Sequence, residues 1–209
     1  MTDRLYVPRA NAVDEDEARR MVAGVGTAQL VTVAADGSPD ATFLPVLLRE
    51  GSLVGHVARA NGHWRRIVEG SPALAVVMGP DAYVSPSWYA SKAEHGRVVP
   101  TWNYSAVHLR GTVHVHDDPA WLRQLVEDLT DVHERDRAHP WAVTDAPERF
   151  VTGQLRAIVG VELVLASVEG KAKLSQNRSA EDRAGVVAGL RGTPGEPVAQ
   201  AMVEVDARR

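Results

Sequence analysis

Aromatic residues that could border a flat ligand are concentrated in one segment of the sequence, residues 83–104. They are Tyr83, Trp88, Tyr89, Trp102 and Tyr104, although aromatic residues make up only 5% of the chain. Serines, prolines and Lys92 stand between them, where a core strand would have leucine, valine or isoleucine. Rigid aromatic planes beside hydroxyls, an amide and a cation suit a flat, polar ligand with an anionic group. The segment therefore predicts a binding site for such a ligand.

A phosphate site is a second prediction, from residues 55–61, where a predicted strand ends and a helix begins. A helix N-terminus offers unpaired N–H groups and positive potential, and Arg59 adds two parallel donors. The alternative is the end of a strand with a solvated arginine, and the spacing does not separate the two interpretations.

Two of the three lysines of the chain lie in residues 170–178, whereas most of its 23 basic residues are arginines. In an extended segment, Lys171 and Lys173 share one face. We expect Lys173 to contact the ligand and Lys171 to act as a surface or steering charge. Ser179 and Asp182 have the spacing of a capping box for the next helix. Three residues before this cap can hydrogen-bond the edge of a heterocycle: Ser175, Gln176 and Asn177.

A metal site is conceivable at His114 and His116, because residues two apart on a strand point to the same side, which His108 shares. We favour the polar outer face of an amphipathic strand and predict no metal. The sequence contains no HExxH, GxSxG, Walker or GxGxxG pattern, so protease, hydrolase and dinucleotide-fold interpretations lack support.

Composition excludes several classes of protein. With 209 residues the chain is long enough for a full core, and without cysteine it has neither disulfides nor thiolate ligands. No apolar run approaches the ~20 residues that span a bilayer, and the N-terminus lacks the apolar region of a secretory signal. We therefore expect a cytoplasmic protein without a membrane partner. The net charge of −4 does not support direct DNA binding, although a local basic patch is compatible with it.

The alternation of apolar and polar residues predicts a mainly β protein with helices. Asp36-Gly37 indicates a hairpin between two β-rich runs. Residues 107–116 alternate as a half-buried strand, and Asp118-Pro119 opens a helix. Several antiparallel strands before the first long helix favour an antiparallel barrel with helices at its ends. The helix opened by Asp118-Pro119 is predicted over residues 120–135, and further helices are predicted over residues 15–23, 147–155, 180–190 and 198–205.

The chain resembles the PaiB family, described as FMN-binding negative transcriptional regulators, within the pyridoxamine-phosphate-oxidase-like split barrels. The resemblance covers almost the whole chain and rests on long, compositionally unusual motifs. They include Gly55-His-Val-Ala-Arg-Ala-Asn61, Gly79-Pro-Asp-Ala-Tyr-Val-Ser-Pro-Ser-Trp-Tyr89, Val99-Pro-Thr-Trp-Asn-Tyr104 and Gly170-Lys-Ala-Lys-Leu-Ser-Gln-Asn-Arg178.

The resemblance implies a six-stranded antiparallel split β-barrel, residues 1–178, with a C-terminal helical extension, residues 179–209, packed on the same domain. It implies a homodimer with FMN at two equivalent interface sites. The phosphate would be held by Arg59, Lys92 and Ser85 or Ser87. The ribityl chain would be reached by His56 and Asn61, and the isoalloxazine bordered by Trp88, Tyr89, Thr101, Trp102 and Asn103. Lys173, Ser175, Gln176 and Asn177 would approach from the C-terminal side or from the partner subunit.

Three functions remain open at this point. The leading hypothesis is a dimeric FMN-binding protein that acts as a flavin-dependent oxidoreductase on a small molecule, with the catalytic residues unassigned. The family description suggests a transcriptional regulator that acts through DNA or a partner protein. Because some split barrels bind or degrade haem and the chain has several strand histidines, a haem protein is the third.

Overall fold

The computed structural model describes residues 5–207, which form seven strands and six α-helices. The strands are β1 Ala12–Val13, β2 Thr27–Val33, β3 Pro39–Leu48, β4 Ser52–Ala58, β5 Pro72–Val84, β6 Thr101–His116 and β7 Ile158–Lys173. The helices are α1 Glu15–Val25, α2 Ser91–His95, α3 Pro119–Glu134, α4 Glu148–Leu155, α5 Ala180–Leu190 and α6 Glu196–Ala207. The N-terminal segment from which we expect no secretory signal includes residues 1–4, which lie outside the described residues.

The strands form one antiparallel sheet of order β1-β7-β4-β3-β2-β5-β6, and β6 also pairs with β7. This additional pairing closes six strands, β2 to β7, into a ring, with the two-residue β1 as an edge. The predicted mainly β, six-stranded split barrel with helices is thereby confirmed. The registers of the inner strands include Thr27↔Pro45 for β2 with β3 and Ser52↔Val164 for β4 with β7.

The predicted hairpin is confirmed at the turn between β2 and β3. Gly37 has a φ of +82°, which a residue with a Cβ rarely adopts. The carboxylate of Asp36 accepts a hydrogen bond from the backbone N–H of Ser38 at 2.9 Å. Glycine and aspartate thus fix the turn that sets the register of these two strands.

The described residues divide into two compact units. The terminal unit comprises residues 5–18, 78–107 and 169–207, and the central unit comprises residues 19–77 and 108–168. The division predicted between residues 178 and 179 stays a prediction. In the terminal unit, α5 and α6 contribute Val186, Leu190 and Met202 to a buried cluster that also includes Val84 and Leu174.

The core of the central unit places the long helix α3 against the sheet. Asp118 caps this helix by accepting a hydrogen bond from the backbone N–H of Trp121 at 2.8 Å, and Pro119 begins it, as predicted. Leu125 packs with Val54 of β4. A Cβ at Gly111 of β6 would lie 1.9 Å from the carbonyl oxygen of Val164, so the approach of β6 to β7 requires glycine there.

The ring of Trp88 lies against the glycine face of α5. A Cβ on Gly189 would lie 2.4–2.6 Å from three atoms of the indole, and one on Gly185 would lie 2.0 Å from the Trp88 carbonyl oxygen. These two glycines are four residues apart and therefore share one face of the helix. They allow the segment around Trp88 to pack directly on the helix backbone.

Gly189→Ala is expected to destabilise the protein by about 1–3 kcal/mol, because an added methyl group must displace a rigid indole. The matched control is Gly153→Ala in α4, where a Cβ meets nothing within 4 Å. That change should be neutral or stabilise by about 0.5–1 kcal/mol, through helix propensity alone. Denaturant unfolding of both variants measures the difference, and equal effects would contradict the packing described here.

Candidate functional site

The terminal unit contains a cavity of about 240 Å³. Its walls combine the N-terminal segment, the start of β6 and the end of β7, and the described residues that line it include two cations and no carboxylate. The lining residues are Pro8, Ala10, Asn11, Tyr89, Val99, Thr101, Asn103, Lys173, Ser175, Asn177 and Arg178. Positive charge beside amide and hydroxyl groups suits an anionic, hydrogen-bonding ligand.

Lys173 lies at the end of β7 with its ammonium group directed to the start of β6. The Nζ atom donates a hydrogen bond to Thr101 Oγ1 at 2.7 Å and another to the backbone carbonyl of Trp102. Burial lowers the pKa of Lys173, and the positive charges of Lys171 and Arg178 lower it further, against an opposing effect of Tyr104. The two hydrogen bonds therefore fix the ammonium in place, and the charged groups that act on it, Lys171 and Arg178, are both positive.

Lys171 is buried, with 9% of its surface exposed, so the expectation of a surface charge is wrong, while a steering role stays a prediction. Its Nζ atom lies 5.2 Å from the centre of the Tyr104 ring and 5.6 Å from that of Tyr6. The pairing of Lys171 with Ala12 in β1 covers it with the N-terminal segment. Aromatic faces attract a cation electrostatically, and these two rings take the place of a carboxylate partner.

Asn103 and Ser175 form a buried pair at the wall of the cavity. The Asn103 side chain donates a hydrogen bond to Ser175 Oγ at 3.0 Å, and its oxygen accepts one from the same hydroxyl at 3.2 Å. Ser175 has a φ of +63°, a left-handed conformation that costs a non-glycine residue about 1–3 kcal/mol. The strained turn brings the chain after β7 across the cavity.

The phenol of Tyr89 is 97% buried, since only 3% of the residue is exposed, yet its hydroxyl has no hydrogen-bond partner among the described residues. The guanidinium carbon of Arg178 lies 4.6 Å from the centre of the Tyr89 ring. Both residues line the cavity. An unpaired buried hydroxyl is costly, and such a group in a cavity indicates a place for a ligand atom.

The other residues predicted for this site have local roles. Lys92 is exposed and donates to Ser87 Oγ at 3.0 Å, which presents an ammonium and a hydroxyl together. Ser85 accepts a hydrogen bond from the Ser87 backbone at 3.2 Å and begins the short 3₁₀ turn Pro86–Trp88.

The Gln176 side chain hydrogen-bonds to the backbone of nearby residues and accepts from the N–H of Leu174 at 2.6 Å. Trp102 is 54% exposed and lies edge-on to Tyr83, with ring centres 6.2 Å apart.

A buried carboxylate attaches α5 to the helix that carries Lys92. Asp182 is 3% exposed and accepts hydrogen bonds from the backbone N–H and the hydroxyl of Ser91, at 2.9 Å and 2.8 Å. Burial by itself would raise the pKa of Asp182, but the two hydrogen bonds from Ser91 and the charge of Arg178 outweigh it, and the pKa is lowered. The predicted cap is also present, since Ser179 accepts from the backbone N–H of Asp182 at 3.2 Å.

Arg59 lies in the central unit, where its guanidinium already has several acceptors. It forms two hydrogen bonds with the carboxylate of Asp117, one of them 3.0 Å long, and donates to the carbonyls of Arg156 at 2.8 Å and Ile158 at 3.0 Å. The hydrogen bond with Arg59 lowers the pKa of Asp117. Within the central unit, the strand end predicted as a phosphate site is therefore occupied by an internal ion pair.

His56 and Asn61, the other predicted residues of the central unit, differ in their environment. Asn61 donates to Thr42 Oγ1 at 3.2 Å and accepts from the backbone N–H of His63 at 3.0 Å. His56 is half-buried, burial lowers its pKa, and its Nδ1 has no hydrogen-bond partner among the described residues. Burial thus favours the neutral form of the His56 imidazole.

Two histidines of β6, His114 and His116, are paired with carboxylates. His114 Nδ1 lies 2.6 Å from Glu69 Oε1, and His116 Nε2 lies 2.9 Å from Glu162 Oε2. The His116 ring also stacks on Trp121, with ring centres 4.1 Å apart. Within residues 5–207, no group of three or more histidine, aspartate or glutamate side chains is arranged to hold a metal ion.

The structure thus gathers six predicted residues around one cavity of the terminal unit: Tyr89, Thr101, Asn103, Lys173, Ser175 and Asn177. Sequence reasoning missed Arg178, although it ends the same motif, and it missed the N-terminal residues Pro8, Ala10 and Asn11. The run of cations in residues 171–178 was a signal for Arg178. The position of the N-terminal segment depends on the pairing of β1 with β7, for which the sequence gives no periodic pattern.

The chain belongs to the family described as "Putative FMN-binding domain", whose model matches residues 5–167. It is 29% identical over 208 residues to "Protease synthase and sporulation protein PAI 2" of Bacillus subtilis, which covers 96% of both chains. The resemblance to the PaiB family is thereby confirmed, and FMN is the cofactor of the family to which the chain belongs.

Solved structures with the same fold include a FAD and haem binding protein from Mycobacterium smegmatis and the flavocytochrome Anf3 from Azotobacter vinelandii. The first has a TM-score of 0.60 at 18% identity and covers 84% of this chain and 79% of its own. The second has a TM-score of 0.57 at 18% identity and covers 88% of this chain and 80% of its own. At this identity the similarity concerns the fold. In the described part of this chain, no helix is both long and apolar enough to cross a membrane.

Asp182→Asn is expected to lower the free energy of unfolding at pH 7 by about 1–3 kcal/mol, because it weakens the hydrogen bonds to Ser91. Since the folded state lowers the pKa of Asp182, its stabilisation is complete above the unfolded pKa of about 4. It fades as the pH falls through the folded-state pKa. Denaturant unfolding should therefore show a difference between wild type and variant that shrinks in acid. The exposed Asp81→Asn is the control, and a difference that does not depend on pH would contradict the assignment.

Proposed function

We propose that the protein is an FMN-dependent oxidoreductase and that residues of the terminal-unit cavity contact the flavin. The donor set carries the proposal: Lys173, Thr101 and Asn103 line the cavity, and no carboxylate among the described residues does. FMN combines a flat, hydrogen-bonding ring system with a phosphate, and therefore suits amide and hydroxyl groups beside positive charge. Membership of the FMN-binding family supports the same cofactor.

The residues fit this cofactor in distinct roles. The Lys92 ammonium and the Ser87 hydroxyl, already joined by a hydrogen bond, would hold the phosphate. Lys173 would place a fixed positive charge beside the ring, and Thr101 would orient that ammonium. Bound FMN supplies reversible hydride and electron transfer, while the protein supplies placement and electrostatics.

A homodimer is part of the proposal, because one chain provides an incomplete enclosure. The cavity of about 240 Å³ is smaller than the roughly 300–1,000 Å³ of most ligand pockets. Beside it, Tyr83 and Trp102 are 47% and 54% exposed and in contact with each other. Exposed aromatic patches of this kind usually mark an interface. A second copy covering the 83–104 segment would complete the flavin site.

The absorbance spectrum of the purified protein, followed by FMN titration, tests the cofactor. Lys173→Met is expected to weaken FMN binding roughly tenfold, through loss of a charge-assisted interaction. A positive charge beside the ring favours the more negatively charged, reduced flavin. The same variant should therefore lower the reduction potential by on the order of 20–30 mV, or about 1 kcal/mol for two electrons.

Lys171→Met is the matched control, because this lysine is held by tyrosine rings and does not line the cavity. It should leave FMN affinity within about twofold of the wild type. An identical response of both variants would show that the cavity charge has no specific role. A Soret band in place of flavin bands would support the haem alternative and contradict FMN binding.

Sedimentation at micromolar concentration is expected to show a dimer. Tyr83→Glu should weaken the dimer by on the order of tenfold or more, because the symmetric interface would bury two added charges. The control is Phe150→Glu, which changes an exposed aromatic residue of α4 outside the proposed interface. A stable wild-type monomer, or dissociation by the control alone, would contradict the proposed interface.

A further inference from the structure

Two donor groups of the terminal-unit cavity lack a protein partner among residues 5–207. The Tyr89 hydroxyl is buried and makes no hydrogen bond. The Arg178 guanidinium packs on the Tyr89 ring and has no hydrogen-bond acceptor or ion-pair partner in the described chain. The roles proposed for Lys173, Thr101, Asn103, Lys92 and Ser87 in FMN binding use neither the Tyr89 hydroxyl nor the Arg178 guanidinium. A phenol and a guanidinium side by side, both unpaired and both lining one cavity, indicate a ligand that accepts hydrogen bonds.

The backbone holds Arg178 in position before any ligand binds. Its N–H donates to the carbonyl of Ser175 at 3.0 Å, and its carbonyl accepts from Arg183 Nη1 at 2.7 Å. The charge of Arg178 lowers the pKa of the nearby Asp182, but no hydrogen bond or ion pair joins the two side chains in the described chain, and both oxygens of Asp182 accept hydrogen bonds from Ser91. The hydrogen bonds with Ser175 and Arg183 hold the backbone of Arg178, and the packing on Tyr89 restrains its guanidinium. A donor that is restrained beforehand loses less entropy on binding, which favours affinity for a matching anion.

We propose that Tyr89 and Arg178 bind the carboxylate of a small organic acid, which is the substrate of the flavin reaction. The guanidinium offers parallel N–H donors that match the two oxygens of a carboxylate, and the phenol adds a third donor. A cavity of about 240 Å³ suits a small acid beside the flavin better than a whole cofactor. The substrate role rests on the proposed function, whereas the carboxylate subsite rests on the cavity alone.

Calorimetric titration of acetate, hexanoate and benzoate into the purified protein, with and without FMN, tests the subsite. Benzamide, the neutral counterpart of benzoate, should bind at least about tenfold more weakly, because it lacks the charge. Tyr89→Phe keeps the ring under Arg178 and removes one neutral hydrogen bond, so benzoate affinity should fall about three- to tenfold.

Arg178→Gln should weaken benzoate binding roughly ten- to a hundredfold. Arg178→Lys keeps the positive charge but lacks the parallel N–H donors of the guanidinium, so its effect should be intermediate. Arg97→Gln is the matched control, because Arg97 is exposed in the same unit and does not line the cavity. It should leave benzoate binding unchanged. Tyr89→Phe keeps the test decisive if substitution of Arg178 prevents folding.

The outcomes separate the subsite from the cofactor. If none of the three acids binds, or if Tyr89→Phe and Arg178→Gln bind benzoate like the wild type, the proposal is wrong. It is also wrong if Arg178→Gln weakens FMN but leaves riboflavin and benzoate unchanged, because the pair would then hold the cofactor phosphate. If FMN does not bind while benzoate binding depends on both residues, the proposed function fails and the carboxylate subsite stands.

Discussion

Two cations of the terminal unit, Lys171 and Arg178, face aromatic rings where a carboxylate partner would be the usual arrangement, and the properties of the cavity depend on this. Lys171 lies beside the rings of Tyr6 and Tyr104, and Arg178 packs on Tyr89. An aromatic face attracts a cation but carries no net charge, so it holds the side chain without neutralising it. The positive charge is therefore retained for an anion from outside the chain.

Close backbone packing makes this arrangement possible. A Cβ on Gly170 would lie 2.2 Å from Val13 Cγ2, so glycine allows β1 to lie directly against the end of β7. The pairing holds β7 extended at Gly170 and Lys171, beyond the apolar part of the strand, and the strand ends at Lys173. After Lys173 the left-handed backbone of Ser175 turns the chain, which places Arg178 at the cavity. A short edge strand and one strained residue thus position three cations.

The central unit shows how the same residue type can be used internally. Arg59 directly follows β4, as expected for a phosphate donor, but Asp117 and two backbone carbonyls accept its hydrogen bonds. An arginine and a strand end are therefore compatible with both a ligand site and a structural ion pair. The family and fold specify a type of cofactor, while the chemistry depends on which donors remain unpaired after folding.

The sequence by itself determined the family, the antiparallel barrel, the hairpin at Asp36-Gly37 and the N-terminus of α3 at Asp118, because these follow from local turns, caps, periodicity and motifs. It also identified Lys173 and Ser175 as candidates for the site. Tertiary structure alone decided that β7 continues to Lys173, since the end of this strand lacks an apolar alternation and pairs with β1 at Gly170 and Lys171. It likewise decided that Lys171 is buried while the Tyr89 hydroxyl stays unpaired, because hydrogen bonds and burial depend on segments far apart in the sequence.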